Sequence, residues 1–510
     1  MAEKKNRLGL IVAGLLLGVL IAAMDNTIVS TAMGTIVGEL GGLDQFVWVT
    51  SAYMVAEMAG MPIFGKLSDM YGRKRFFVFG IIMFLLGSAL CGTAHSITEL
   101  SIYRAIQGIG GGALVPIAFT IVFDIFPVES RGKMAGMFGA VFGVSSLFGP
   151  LLGAYITDYL EWRWIFYINL PLGIAAFLLV VLFYHESHEH SKQKIDIWGA
   201  ATLVGSVVSL MFALELGGSK YAWDSPVIIG LFAAFAVLMI VFLAVEAKVA
   251  EPIVSYDMFR KRLFAFSSAA ALFYGAAFIT AAVYIPIFVQ GVMGGNATNS
   301  GLILLPMTLS SVVASQIGGM LSTKMSFRSV MILSAVIFGG GMLLLGTITP
   351  ETTRTMLSIY MLVAGFGMGF SFSVLGMSAI QGVDARQRGS ANSTISFLRS
   401  LGMTVGITIF GIIQRNDFHD RLSSTLGGAS GQNMPATMDP QQMLSPERRA
   451  LIPAPVMEKI SSALSVSVDH AFLWAVIPAA LALVSVSLMG GSRLQMSQMG
   501  PGARKDGAHH

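Results

Sequence analysis

Apolar runs of about 20 residues, each long enough to cross a bilayer as a helix, recur along the whole 510-residue chain. Fourteen of them are separated by polar or charged stretches. They cover 8–30, 46–65, 76–95, 99–122, 134–157, 164–184, 197–216, 226–245, 264–290, 300–321, 329–348, 356–377, 390–413 and 470–490. The runs lack the polar face that a helix on a soluble core carries, so the pattern predicts an all-α polytopic membrane protein. The first run reaches Ala23 without a small-residue cleavage site and reads as a retained span, not a signal peptide. One long polar insert, 415–469, interrupts the pattern. It holds Gly427-Gly428-Ala429-Ser430-Gly431 and is rich in proline from Pro435 to Pro455, which predicts a loop.

Charge supports this class and orients it. The chain is 55% hydrophobic and 12% charged, against roughly 25% charged in soluble domains. With the N-terminus inside, 22 Lys and Arg fall on inside segments and 3 on short outside loops, which predicts that both termini are cytoplasmic. The net charge of +4 is thereby explained by topology and gives no reason to invoke nucleic acid. Trp48, Trp162, Trp164, Trp223 and Trp474 fall at outer span ends and Trp198 at an inner one, as in an aromatic belt. The one cysteine, Cys91, excludes an intramolecular disulfide and a thiolate metal site.

Two carboxylates lie inside spans, where nearly all the others fall in loops or at span ends: Asp25, late in the first, and Glu57, in the middle of the second. A charge at membrane depth is costly unless it neutralises, pairs or meets water. A carboxyl group in a low-dielectric cavity can hold a proton near neutral pH and release it when its surroundings change. Both residues are therefore candidates for proton coupling and for binding a cationic ligand. Asp25 also fits a helix-end carboxylate near the outer interface, and Glu57 a structural pair with a buried cation. Two arginines, Arg104 and Arg399, also fall inside spans. Guanidinium keeps its proton, so Arg104 must pair, bond to carbonyls or meet water; Arg399 is read as structural. Met (31) and Phe (34) suit a pocket that takes many shapes, although most must face lipid or other helices.

The chain repeats itself. Gly65-Lys66-Leu67-Ser68-Asp69-Met70-Tyr71-Gly72-Arg73-Lys74-Arg75 returns in worn form from Gly319 to Arg328, offset by 254. Arg131-Gly132 returns as Arg388-Gly389 and Gly149 as Gly406, both offset by 257. This predicts two parallel six-helix bundles, residues 1–190 and 263–510, with a helix pair in 191–262 between them. Paired repeats around a midplane site are a transporter architecture.

These motifs resemble the major facilitator superfamily, and within it the fourteen-span drug:proton antiporters. Asp25-Asn26-Thr27-Ile28-Val29-Ser30-Thr31-Ala32-Met33 is similar to the first-span motif, departing at Gly34 and Ser30. Gly65 to Arg75 matches the cytoplasmic loop motif, and Arg104-Ala105-Ile106-Gln107-Gly108-Ile109-Gly110 the fourth-span arginine motif. Gly136…Phe148-Gly149-Pro150-Leu151-Leu152-Gly153 is similar to the fifth-span antiporter motif, with Ser145 and Ala154 where glycine is usual. Trp162 to Gly173 is typical of the fourteen-span branch.

The resemblance implies the major facilitator fold and a proton-coupled antiporter that exports lipophilic, cationic drugs by alternating access. Its setting would be the cytoplasmic membrane of a prokaryote, as a multi-pass monomer in the lipid bilayer. It implies a proton-transfer role for Arg104 by tuning a nearby carboxylate, with holding helix ends as the structural alternative, and a conformational latch at Asp69 with Gly65, Gly72 and Arg73. Gly149, Pro150 and Gly153 would form a sliding face between bundles. Glu57 has no counterpart in the family pattern and is the candidate for this chain's own selectivity. Tyr284 and Gln290, near Pro286, are candidate pocket-lining groups from the second bundle. An exporter of one endogenous metabolite, siderophore or lipid is the alternative. There is no Gly-x-x-x-x-Gly-Lys-[Ser/Thr] loop for ATP, no catalytic constellation for an enzyme and no expected cofactor or metal. His185, His188 and His190 read as a solvated loop, and the sequon Asn296-Ala297-Thr298 as chance.

Overall fold

The computed structural model describes residues 2–41, 45–186, 195–218, 220–295, 297–426 and 454–493. His188, His190, Asn296 and most of the polar insert (427–453) lie outside these residues. Among the described residues, fourteen helices are long and apolar enough to cross a membrane. They are α1 (Ala2–Leu40), α2 (Val47–Tyr71), α3 (Arg73–Cys91), α4 (Ile97–Ile125), α5 (Val128–Tyr159) and α6 (Trp164–Phe183, broken at Ile168). Then come α7 (Ile197–Leu216), α8 (Pro226–Glu246), α9 (Arg262–Gly291), α10 (Ala297–Lys324), α11 (Phe327–Leu345), α12 (Arg354–Ile380), α13 (Arg388–Leu426) and α14 (Ala454–Leu488). Helix is the local solution because backbone polar groups in hydrocarbon must be satisfied within the segment. An even number of spans puts both chain ends on one face, here termed the terminal face.

Several helices run past the apolar runs that predict them. The span expected at 8–30 continues to Leu40, so Asp25 is mid-helix and not at a helix end. The insert expected at 415–469 is helical at both ends, since α13 reaches Leu426 and α14 starts at Ala454. There Arg421 Nε donates to Asp417 Oδ2 at 2.8 Å. Hydropathy marks the slab a helix crosses; the helix itself extends as far as polar side chains find partners. The predicted belt also loses one member: Trp162 is buried, and its Nε1 donates to Glu39 Oε2 at 2.8 Å.

The packing repeats as the sequence does. In the first six helices α1 packs on α5 and α6, and α4 on α2 and α3. In the last six, α9 packs on α13 and α14, and α12 on α10 and α11. Two equivalent seams join the bundles, α2 against α13 and α5 against α10. The pair α7 and α8 packs on itself and reaches the bundles through α7, which lies along α2 and α13. Met58, Met61, Leu203, Val207, Met211 and Phe397 share one apolar cluster there. The inserted pair thus covers one of the two seams.

Glycine makes the seams close. A Cβ on Gly132 of α5 would lie 2.2 Å from the Gly319 carbonyl oxygen of α10, and one on Gly319 would lie 2.1 Å from that of Gly132. On α5 the same face continues through Gly136, Gly139 and Gly143 against Gln316, Ser315 and Val312. Gly149 and Gly153 are not on it. They face Thr27 and Thr31 of α1, inside their own bundle, so the glycines that lie between the bundles are the earlier ones and not the expected pair. Helical period explains the difference: positions 132, 136, 139 and 143 form one stripe, and its continuation falls on Pro150, leaving 149 and 153 turned aside.

The tight Gly132–Gly319 crossing gives a first prediction. Gly132→Val should prevent closure of the terminal face without disturbing either bundle's interior. In a Ser393→Cys reporter, labelling by a membrane-impermeant maleimide should rise several-fold; unchanged labelling would show that the crossing does not govern closure.

Candidate functional site

The first bundle is centred on a buried polar network around Asp25 and Arg104, both fully buried. An Arg104 Nη1 hydrogen bond to Asp25 Oδ2 closes the ion pair. Arg104 Nη1 also donates to Gln107 Oε1 at 2.8 Å, Nη2 to Asn26 Oδ1 at 3.2 Å and Nε to the Val49 carbonyl at 3.1 Å. Asp25 Oδ1 accepts from Gln107 Nε2 at 2.7 Å and from Asn169 Nδ2 at 3.1 Å. Asn169 Nδ2 also reaches Ser88 Oγ at 3.0 Å, and Ser88 Oγ donates to the Phe166 carbonyl at 2.8 Å. The guanidinium lies over the Tyr53 ring, 4.2 Å from its centroid. The network thereby joins α1, α2, α3, α4 and the break in α6. Its two charges cancel, and most of its donors and acceptors are satisfied, the condition under which a buried pair is tolerated. Sequence reading found Asp25 and Arg104 separately; it missed Gln107, Asn169 and Ser88, whose role depends on which helices meet.

Glu57 is separate from this network. It is half-buried in the middle of α2, one turn beyond Tyr53, and faces the glycines of α4. A Cβ on Gly112 would stand 2.5 Å from the Glu57 carbonyl oxygen, and one on Gly111 3.7 Å from its Cγ. Among the described residues no hydrogen bond or ion pair reaches its carboxylate. The pairing expected as its bland alternative is taken by Asp25.

At the terminal face, Asp69 of α2 sits against the start of α13. Its Oδ1 accepts from the Gly389 amide at 2.9 Å and its Oδ2 from the Ser390 amide at 2.8 Å. These amides have no partner within their own helix and carry its positive dipole end. Arg73 Nη2 completes the set at 3.1 Å from Asp69 Oδ1, and its other nitrogen meets Asp124, which also binds Arg388 at 3.0 Å. Gly65 makes the approach possible: a Cβ there would lie 2.0 Å from Ser393 Oγ. Gly72 has φ +113°, which separates α2 from α3 in a conformation few other residues adopt. In the second seam Thr323 stands where the repeat would put the aspartate, and its hydroxyl bonds back to its own helix. Among the described residues this carboxylate-to-amide contact is therefore on one seam only.

A cavity lies between the bundles, lined by Val115 and Phe119 of α4, Phe138, Gly139 and Phe142 of α5, Phe372 and Gly376 of α12, and Asn392, Ile395, Ser396 and Arg399 of α13. Phe142 and Phe372 stack across it, with centroids 6.0 Å apart. The two residues expected to line a pocket from α9 are elsewhere. Tyr284 is buried among the packing core facing Gly411 of α13, and Gln290 Nε2 donates to Ser300 Oγ at 3.2 Å near the far end of α9.

A second prediction concerns the ion pair. Asp25→Asn leaves Arg104 buried without a counter-charge, which costs about 3 kcal/mol or more. Thermal unfolding in detergent should show a large loss for Asp25→Asn and Arg104→Gln singly, and a smaller loss for the double variant than for either. Additive losses would show that the two charges are not coupled.

The sequence matches the Major Facilitator Superfamily over residues 15–245 and 195–407. It is 56% identical over 492 residues to Multidrug resistance protein 3 of Bacillus subtilis (strain 168), covering 95% of this chain and 96% of that protein. It is 39% identical over 410 residues to Multidrug transporter protein MdtP of the same organism, covering 80% and 76%. The fold is similar to the human organic anion transporter MFSD10, with TM-score 0.59 and 15% identity over 92% of this chain and 99% of that one. It is also similar to the proton:xylose symporter XylE, with TM-score 0.56 and 14% identity over 93% and 95%. At these identities the structures speak for the fold alone. With its paired bundles and full-length relatives, the chain belongs to the Major Facilitator Superfamily, as a fourteen-span membrane transporter in the family of the Bacillus multidrug resistance proteins and not an enzyme.

Proposed function

We propose that the chain exports lipophilic, cationic drugs across the cytoplasmic membrane in exchange for protons. The observation that carries this reading is Glu57, a carboxylate in the middle of a span with no hydrogen bond or ion pair among the described residues. Such a group is stabilised by a proton or by a ligand's positive charge, and the two compete for it. That competition is the exchange an antiporter needs. The names of the two Bacillus relatives support drugs as the substrates.

Asp25 and Arg104 act differently from Glu57 in this scheme. Their charges cancel each other, so the network positions α2 and leaves Glu57 to exchange. Arg104 covers the ring of Tyr53, one turn before Glu57 on α2. The drug's positive charge is met at Glu57, and its apolar body by the aromatic residues of the cavity between the bundles and not by Tyr284 or Gln290.

The terminal face is cytoplasmic, on the strength of the 22 to 3 distribution of Lys and Arg. The moving bodies are residues 1–190 and 263–510, with 191–262 riding along the α2–α13 seam, and one chain suffices to build the cavity. When Asp69 holds the start of α13 the cytoplasmic side is shut. The cycle then requires that latch to open so that drug can enter and Glu57 can lose its proton. Outside, protons return to Glu57 and the drug leaves.

Drug-induced proton release tests the scheme. Ethidium added to purified protein in weak buffer should release about half a proton per bound drug at the midpoint of Glu57 protonation, rising toward about one below it. Glu57→Gln should abolish the release. Binding without release at any pH would refute antiport.

A further inference from the structure

Arg399 carries a charge that nothing described so far uses. It lies on α13 and is the one ionisable residue among those lining the cavity between the bundles. Guanidinium cannot shed its proton, and a cation at membrane depth needs a counter-charge, carbonyl partners or water. Arg399 has only part of that. Nη2 donates to the Ser371 carbonyl at 3.0 Å, and the guanidinium lies 5.1 Å from the centroid of the Phe372 ring. Its Nε is buried without a hydrogen-bond partner, and among the described residues no carboxylate pairs with it. The contrast with Arg104 is direct: Arg104 is neutralised by Asp25, whereas Arg399 is left with its charge beside a cavity of about 50 Å³.

The surroundings define what would complete it. Phe372 flanks the guanidinium and stacks on Phe142 across the cavity, so an apolar aromatic body has a surface to rest on. Asn392 and Ser396 add polar groups on the same helix as Arg399. A fixed cation beside aromatic walls favours an amphipathic anion, because the charge-assisted bond and the apolar burial are gained together.

We propose that Arg399 forms an anion subsite in the cavity between the bundles. It would take the carboxylate or phosphate of an amphipathic ligand whose apolar body lies against Phe142 and Phe372. This deepens the export reading and rests on it for its transport consequence. Compounds with an aromatic body and an acidic group, including those that also carry a positive charge, would be accepted along with simple cations.

Binding of 1-pyrenebutyrate and of its uncharged amide to the purified full-length chain, with no proton gradient, tests the subsite. The wild type should prefer the acid by about tenfold. Taking the acid-to-amide ratio within each protein cancels any general change in affinity. Arg399→Gln should bring that ratio near one, and Arg399→Lys should keep much of it. Ser396→Asp, which supplies an internal carboxylate one turn from Arg399, should also bring the ratio near one and serves if the glutamine variant is not recovered folded. A wild-type ratio near one, or a ratio that survives Arg399→Gln or Ser396→Asp, would overturn the subsite. Competition by added phosphatidylglycerol would assign the site to a lipid headgroup, and its absence to a soluble anion; either keeps the subsite. Gradient-driven ethidium export by the wild type separates the two readings. Export with no acid preference refutes the subsite alone, and acid preference without export refutes the export reading alone.

Discussion

A charge in hydrocarbon has to be cancelled, and the structure is organised by how each of its intramembrane charges meets that requirement. Asp25 and Arg104 cancel each other at full burial. The hydrogen bonds around them recruit Gln107, Asn169, Asn26, Ser88 and two backbone carbonyls, so that five helices of the first bundle share one centre. Removing either charge would strand the other, which makes the centre rigid. Among the described residues, Glu57 on α2 and Arg399 on α13 have no such ion-pair partner.

Rigidity within bundles is matched by shallow contact between them. The seams are built from glycine and small polar residues, so backbones touch and few side chains interlock. Such a surface can part and re-form with little loss of packing along its glycines, the apolar cluster of Met58, Met61 and Phe397 being the exception. What holds it is directional and local: Asp69 on the free amides of α13, buttressed by Arg73, Asp124 and Arg388. The repeat makes two equivalent seams, but only one kept the aspartate. The inserted pair α7 and α8 lies along that same seam, so the Asp69 contact and its cover belong to one side of the molecule.

Much of this architecture was legible in the sequence. Fourteen apolar runs foretold fourteen membrane-length helices, and the offsets linking Gly65 to Gly319 and Gly149 to Gly406 reappear as equivalent packing positions. Asp25, Glu57, Arg104 and Asp69 stood out because a charge or a motif has a meaning independent of its neighbours. What stayed hidden depends on which faces meet. Gln107 and Asn169 are unremarkable amides until α1, α4 and α6 converge on Asp25. Gly149 and Gly153 look like a sliding face until the helical period turns them toward α1. Helix lengths were underestimated at α1, α13 and α14 because hydropathy stops where a helix leaves the lipid slab, whereas hydrogen bonding does not.

The proposed exchange divides the labour between two acids: Asp25 stays paired, and Glu57 changes its protonation. Infrared difference spectroscopy of the carboxyl C=O stretch on drug binding reads this directly. The account predicts that ethidium binding bleaches a protonated-carboxyl band in the wild type, that the band is absent in Glu57→Gln, and that it persists in the paired variant Asp25→Asn with Arg104→Gln. A band that survives Glu57→Gln and disappears when Asp25 is replaced would contradict it.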